Sequence, residues 1–199
     1  MKLFLCSHFA KVGILLKDQV EGKTLVFIPT ASINEGYKGY VGSALKLWKK
    51  LNTNIIEIEI STANMNDIHK AFEKADIIYF TGGNSFFLID SIKKKGVDKL
   101  IKKHLENNKL YVGESGGAII CAPELTYIKK MDEVPDNFSQ KDYSGLNLID
   151  FYVLPHYLCA PFKKCSQEIL ASNPDLNICA INNSQAILIN NGEKIELNV

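Results

Sequence analysis

Short apolar runs alternate with helical patterns along most of this chain, and that alternation limits the folds open to it. Strand-like runs lie at residues 3–6, 24–28, 54–60, 76–80 and 109–113. Helical stripes are predicted between them, over residues 40–51, 65–74, 86–94 and 97–107. Strands joined through helices pair in parallel, and the helices then cover both faces of the sheet. The pattern therefore predicts an α/β fold with a mostly parallel central sheet.

The alternation breaks after residue 122. Residues 123–148 are rich in polar and turn-forming side chains and predict a long irregular excursion, a kind of segment that often serves as a lid. Further strands are expected at 151–154, 177–181, 186–189 and 194–197, with a helix over 162–171. The length fits one domain, residues 1–199, with a core of about six or seven strands.

Composition narrows the classes of function. The formal net charge is only +1, whereas phosphate binding needs a basic excess, so nucleic acid is not expected as a partner. The five cysteines are scattered without a C-x-x-C pair, which indicates a reducing, cytoplasmic setting. No segment approaches the roughly 20 apolar residues of a membrane span, so no membrane partner is expected. Neither a metal motif nor a G-x-G-x-x-G cofactor motif occurs, and a monomer or a small homo-oligomer remains open.

The most informative segment for chemistry is Gly113-Glu114-Ser115-Gly116-Gly117, between the fifth strand and an apolar helical run. It fits the G-x-S-x-G nucleophile elbow, in which a sharp strand-to-helix turn exposes a serine hydroxyl. Glycines are needed two residues either side because side chains there would clash. The alternative is an ordinary strand-turn-helix corner that happens to carry a small polar residue.

A serine nucleophile needs a base, and the chain has four histidines. His69 and His104 lie in lysine-rich helical patterns and are expected to be solvated surface residues. His8 follows the first strand, and His156 follows the predicted strand 151–154 and Pro155. Because sites in open α/β sheets lie outside the carboxyl ends of strands, His156 is the preferred base and should meet Ser115 there. A purely structural role for His156 is the alternative.

An oxyanion hole needs a second N–H donor besides Gly116. The corner Gly82-Gly83-Asn84 follows the fourth strand and would lie beside the elbow if the fourth and fifth strands are neighbours. A glycine N–H can approach a substrate closely because no Cβ intervenes. The alternative is a simple turn with Asn84 or Ser85 capping the next helix.

Together these segments resemble the serine peptidase family that holds dipeptidase E and, more distantly, cyanophycinase. The resemblance covers nearly the whole chain and rests on the glycine loop 80–86, the elbow 113–117 and the histidine segment running from 142–146 to 154–157. It implies a flavodoxin-like, class I glutamine-amidotransferase-like three-layer fold. It also implies Ser115 as nucleophile, His156 as base and Gly83 and Gly116 as oxyanion donors, acting on short peptides.

Two positions depart from the family pattern. The segment that carries the family's supporting acid reads 180–186 here and holds no Asp or Glu, and Asn183 is the best match. Asparagine can accept from an imidazole N–H but does not stabilise imidazolium by charge, so Asp142 or Glu114 is considered as compensation. The family's aspartyl specificity depends on an arginine, which this chain lacks. Lys163 or Lys164 is the possible substitute.

Asn84, Glu114 and Lys164 are thus the candidate substrate-binding residues. Glu114 could bind a peptide's free amino group, although a solvated side chain of the elbow is the preferred interpretation. The preferred interpretation is a serine-type peptidase cleaving dipeptides or similarly short peptides. A weakened family member that only binds its ligand, and a small-acyl esterase or amidase, are the alternatives.

Overall fold

A computed structural model describes residues 1–199, and its centre is a seven-stranded sheet in the order β3-β2-β4-β5-β1-β8-β9. The first five strands of the chain pair in parallel, β8 runs antiparallel to β1, and β9 antiparallel to β8. The strands are β1 Lys2–Cys6, β2 Thr24–Ile28, β3 Asn54–Glu57, β4 Ile77–Phe80, β5 Leu110–Glu114, β8 Gln185–Asn190 and β9 Glu193–Asn198. The predicted mostly parallel α/β sheet is confirmed.

Helices cover both faces of this sheet and produce three layers. On one face, α1 Phe9–Val12, α2 Lys17–Val20 and α3 Gly39–Lys50 pack in a cluster that contains Trp48. The other face carries α4 Met65–Lys74, α5 Ser85–Lys95, α6 Val97–Glu106, α7 Gly116–Ile119 and α8 Lys163–Ser172. Successive side chains of β1 point to opposite faces of the sheet, as in any strand. Leu3 and Leu5 pack with α4 to α8, and Phe4 and Cys6 pack in the cluster that contains Trp48. None of the helices combines the length and apolar content needed to cross a bilayer.

Two predicted strands lie outside the central sheet. β6, Tyr152–Leu154, pairs in parallel with β7, Ile178–Ala180, in a separate two-stranded sheet. This small sheet packs in the same hydrophobic cluster as α4 to α8. Residues 9–20, to which the sequence assigned no element, form α1, a 3₁₀ turn and α2. Helices of four residues are too short to show a hydrophobic period.

The excursion 123–148 is irregular, as predicted, and is fastened to α5. The Asp90 carboxylate of α5 accepts hydrogen bonds from the Ser139 hydroxyl at 2.6 Å and from the Gln140 amide at 2.8 Å. The Lys93 ammonium donates to the Ser144 carbonyl at 2.6 Å. The prediction that His104 is a solvated surface residue is wrong. His104 of α6 is only 4% exposed, and its Nε2 donates to the Leu110 carbonyl. His69 is exposed, as expected.

Candidate active site

Ser115 occupies the sharp turn between β5 and α7. Its φ of 48° and ψ of −108° are unusual for a residue with a side chain, and its N–H donates to the Cys6 carbonyl at 2.8 Å. Backbone conformations of this kind cost on the order of 1–3 kcal/mol and persist only where the surroundings enforce them. The strained serine lies at the carboxyl end of a central strand, which is the backbone geometry that the G-x-S-x-G pattern predicts.

The flanking glycines are required by close approach of main-chain atoms. A Cβ on Gly113 would overlap the carbonyl group of Gly117, and a Cβ on Gly117 would overlap the Phe80 carbonyl at the end of β4. The Gly117 carbonyl also accepts from the buried Tyr111 hydroxyl at 2.6 Å. The elbow is therefore packed directly against β4 and β5 with no room for a side chain.

His156 follows the small sheet and turns back onto Ser115. Its Nε2 lies 3.0 Å from the Ser115 Oγ. The backbone N–H of His156 donates to the Ser7 hydroxyl at 3.0 Å, and its ring stacks on Phe162 with centroids 5.0 Å apart. The Ser7 hydroxyl in turn donates to the Ile181 carbonyl at 3.0 Å. Ser7 thereby links the end of β1 to the segments that follow β6 and β7.

Asn183 orients the imidazole. Its Oδ1 lies 2.6 Å from the His156 Nδ1. A carboxamide oxygen only accepts hydrogen bonds, so Nδ1 carries the proton and the lone pair of Nε2 faces the serine hydroxyl. This is the tautomer a general base requires. The structure brings Ser115, His156 and Asn183 together in one chain of hydrogen bonds.

The surroundings of His156 keep its ring neutral. Burial lowers the pKa of His156 below its ordinary value of 6.5, because desolvation disfavours the imidazolium. The hydrogen bond that Nδ1 donates to Asn183 and the charge of Glu114 both favour the imidazolium, but they do not reverse the lowering of the pKa. At neutral pH the ring is thus available to accept a proton.

Gly83 and Gly116 approach each other beside the serine. β4 and β5 are neighbours, as the sequence analysis required for this pairing. Gly83 has a φ of 122°, and a Cβ there would overlap the Ala31 carbonyl, so only glycine fits. A Cβ on Gly116 would overlap the Gly83 carbonyl. Neither N–H donates to a backbone carbonyl of the protein, and Gly83 lines the cavity beside Ser115.

The three residues proposed for substrate contact have different positions. Asn84 lines the cavity but also caps α5, since its Oδ1 accepts from the Phe87 N–H at 2.8 Å and its Nδ2 donates to the Glu133 carbonyl. Lys164 does not line the cavity. Its side chain is 93% exposed and lies 3.9 Å from Glu168 one turn along α8. Lys164 points away from Ser115 and His156 because it lies on the outer face of α8.

Glu114 is 1% exposed, so the preferred interpretation of a solvated elbow side chain is wrong. One carboxylate oxygen accepts from the Phe9 N–H at 2.8 Å and lies 3.2 Å from the His8 Nδ1. The other accepts from the Tyr79 hydroxyl. Both oxygens are therefore engaged within the protein. Asp142 is exposed and accepts from the Ser144 N–H, and Asn183 is the residue bonded to His156.

A cavity of about 600 Å³ opens over Ser115 and His156. Several of its residues were not singled out from the sequence, among them Ser7, Glu35, Tyr40, Asp132 and Phe162. Ser7 had a usable signal, since it directly follows a central strand. The others come from loops whose approach to the site has no sequence signature. The described residues contain no group of three or more His, Cys, Asp or Glu side chains placed to hold a metal ion.

Known proteins place this chain in a family. The model of peptidase family S51 matches residues 6–197. The chain belongs to peptidase family S51. This S51 peptidase is 41% identical over 198 residues to an uncharacterized peptidase of Pasteurella multocida, a match that covers 98% of this chain and 96% of that one. It is 25% identical over 190 residues to peptidase E of Salmonella typhimurium, covering 91% and 80%.

Solved structures agree with the family assignment. A candidate peptidase E protein from Listeria monocytogenes superposes with a TM-score of 0.95 at 39% identity, covering 100% of this S51 peptidase and 98% of that chain. A peptidase from an acI-B1 Actinobacterium gives 0.74 at 18% identity, covering 100% and 87%, and supports the fold alone. The protein is thus a peptidase of the peptidase E type, and the resemblance inferred from its motifs is confirmed.

Proposed function

We propose that this S51 peptidase is a serine-type enzyme that hydrolyses short peptides, dipeptides above all, through an acyl-enzyme. The observation that carries the proposal is the hydrogen-bonded series Ser115 Oγ, His156 Nε2, His156 Nδ1 and Asn183 Oδ1 at the floor of the cavity. A nucleophile within hydrogen-bond reach of a base that a third group orients is the usual arrangement for covalent catalysis.

In the acylation step, His156 Nε2 takes the hydroxyl proton while the Ser115 Oγ attacks the peptide carbonyl carbon. The N–H groups of Gly83 and Gly116 stabilise the negative charge that develops on the carbonyl oxygen. The C–N bond then breaks, and the His156 imidazolium gives its proton to the departing amine. Water, deprotonated by the same Nε2, attacks the acyl carbon, and Ser115 leaves with the proton restored.

The setting proposed for this chemistry is the reducing cytoplasm. All five cysteines are free, with Cys6, Cys121 and Cys179 buried, which suits a compartment where thiols stay reduced. The cavity size supports small substrates, because its volume lies in the range of small-molecule sites. An intact protein cleaved as fast as a dipeptide would contradict this size limit.

The first test is covalent labelling. The purified protein is incubated with a fluorophosphonate probe and its intact mass is measured beside Ser115→Ala and Ser144→Ala. Ser144 is a control serine of the excursion, whose hydroxyl lies beside Lys93 rather than His156. Labelling lost only in Ser115→Ala supports the proposal, and a dipeptide library then gives the turnover.

Absence of labelling in the wild type would instead favour a weakened relative that only binds its ligand. That alternative has a specific motive in Asn183, which supplies no negative charge to the imidazolium. Strong preference for small esters over every peptide in the library would favour the esterase alternative.

A further inference from the structure

The charges that line the cavity are unbalanced. Its lining contains four carboxylates, Glu35, Glu114, Asp132 and Glu133, and no lysine. Glu114 is only 1% exposed and both of its oxygens are engaged within the protein, so it offers no free acceptor to a ligand. Three carboxylates therefore remain on the cavity wall without a cationic partner from the lining.

None of these three carboxylates forms a salt bridge. Lys38, the lysine closest in sequence to Glu35, donates its ammonium to the Ile33 carbonyl at 2.7 Å. Asp132 accepts from the Ser85 N–H at the start of α5, which is a dipole rather than a charge. The field of Glu35, Asp132 and Glu133 reaches into the cavity, where low-dielectric walls focus it.

A second observation points to a missing ligand donor. Tyr40 lines the same cavity, and its hydroxyl is buried from solvent without a hydrogen-bond partner. Burial, followed by the charges of Glu35, Glu114 and Asp132, raises the pKa of Tyr40, so the hydroxyl keeps its proton. The phenol oxygen is an acceptor that an ammonium group would satisfy, and unpaired buried polar groups are costly.

We infer that the peptide bound here carries a cationic side chain, as lysine does, in addition to its α-ammonium group. The α-ammonium and the α-carboxylate of a dipeptide carry opposite charges, so the surplus negative charge of the cavity wall remains for a side-chain cation. An aspartyl substrate would bring another carboxylate into an already anionic cavity, where like charges repel. The inference concerns the specificity of the proposed peptidase site and rests on that proposed function.

The test measures binding separately from turnover. Ser115→Ala keeps the cavity but lacks the nucleophile, and calorimetry gives its affinity for matched dipeptide amides: Lys-Ala, Ala-Lys, their norleucine counterparts and Asp-Ala. Norleucine keeps the four-carbon stem of lysine and lacks the terminal ammonium group. We expect at least one lysine peptide to bind about ten-fold more tightly than its norleucine counterpart, with Asp-Ala weakest and the preference reduced by added salt.

Carboxylate variants locate the preference. Glu35→Gln and Glu133→Gln, each made in the Ser115→Ala background, should lower the lysine-to-norleucine ratio about three- to five-fold, the effect of one partly solvated charge contact. Glu106→Gln changes the net charge equally but lies on the exposed end of α6, and should leave the ratio unchanged. A ratio near one in Ser115→Ala, or equal loss in all three variants, overturns the inference.

The wild-type enzyme distinguishes the two proposals. Hydrolysis of all the peptides at similar rates would leave the serine peptidase standing and remove the cationic specificity. Tight lysine-dependent binding without any hydrolysis would support the cationic specificity and remove the serine peptidase. Preferential hydrolysis of the lysine peptides supports both.

Discussion

Asn183 Oδ1 lies 2.6 Å from His156 Nδ1, and this neutral amide occupies the place where a carboxylate commonly supports a catalytic histidine. The contact fixes the tautomer and the ring orientation. It does not add a negative charge that would stabilise an imidazolium at His156. The orienting role and the electrostatic role of the third residue are therefore separated in this molecule.

Asn183→Asp should increase kcat by about ten-fold, because a charge-assisted hydrogen bond is roughly twice as strong as a neutral one. The same change should raise the pKa of His156. In the wild type that pKa lies below 6.5, so kcat/KM should rise with pH through a midpoint below this value and then level off. In the variant the midpoint should move to higher pH. A profile unchanged in both height and midpoint would contradict the role assigned to Asn183.

His104 should make the fold less stable in mild acid. Its Nε2 donates to the Leu110 carbonyl, its Nδ1 is buried without a partner, and burial lowers its pKa to about 4. The unfolded chain binds a proton near pH 6.5 and the folded chain only near 4. The free energy of unfolding therefore falls by about 3 kcal/mol as the pH decreases from 6.5 to about 4. Below pH 4 this group causes no further change.

Urea unfolding at several pH values checks this expectation. His104→Gln retains a donor for the Leu110 carbonyl but does not titrate, so its unfolding free energy should depend less on pH than that of the wild type. His69→Gln, on the exposed side of α4, is the matched control and should behave as the wild type does. Equal pH dependence in all three proteins would show that His104 is not responsible.

Gly117→Ala should destabilise the fold by about 1–3 kcal/mol, the usual cost of forcing atoms into a packed core. The added methyl group would overlap the Phe80 carbonyl, which is main chain and has little freedom to move. For a protein of this size the melting temperature should fall by several degrees. Gly36→Ala is the control, because no atom lies within 4 Å of the added methyl group there. Similar melting temperatures for the two variants would argue against the packing assigned to the elbow.

Glu114→Leu should cost more stability than Glu114→Gln. Leucine would leave the buried Phe9 N–H and the Tyr79 hydroxyl without acceptors, at about 1–3 kcal/mol for each group. Glutamine keeps an oxygen for the Phe9 N–H, and the Tyr79 hydroxyl can accept from its amide nitrogen. Chemical denaturation of both variants measures the difference. Two equally stable variants would mean that these hydrogen bonds contribute little.

Local patterns predicted much of the fold and part of the site. The strand-to-helix alternation located the central strands within one to three residues, and the elbow pattern located the turn at Ser115. Both are short-range features, in which spacing along the chain fixes the geometry. The meeting of His156 with Ser115 was predicted from the positions of both residues at the carboxyl ends of strands. The contact of Asn183 with His156 was predicted only from the resemblance to known peptidases, because these two residues meet through tertiary packing.

The features that sequence reasoning missed depend on distant partners. The burial of Glu114 is set by Phe9 and Tyr79, which approach it from α1 and β4. The burial of His104 depends on the Leu110 carbonyl of the following strand. Lys164 lies on the outer face of α8, because the opposite side of that helix packs inward. None of these outcomes is encoded in the residues immediately around the side chain.

His156 and Asn183 come after the strands of the small sheet, whereas Ser115 directly follows β5 of the large one. The hydrogen bonds that join Ser115, His156 and Asn183 thus depend on how the two sheets dock against each other, with the Ser7 hydroxyl at their junction. Mild denaturation that loosens the small sheet would abolish the proposed peptidase activity while most of the circular dichroism signal persists. Loss of activity would then precede global unfolding, and loss of the contact between Ser115 and His156 would be its first sign.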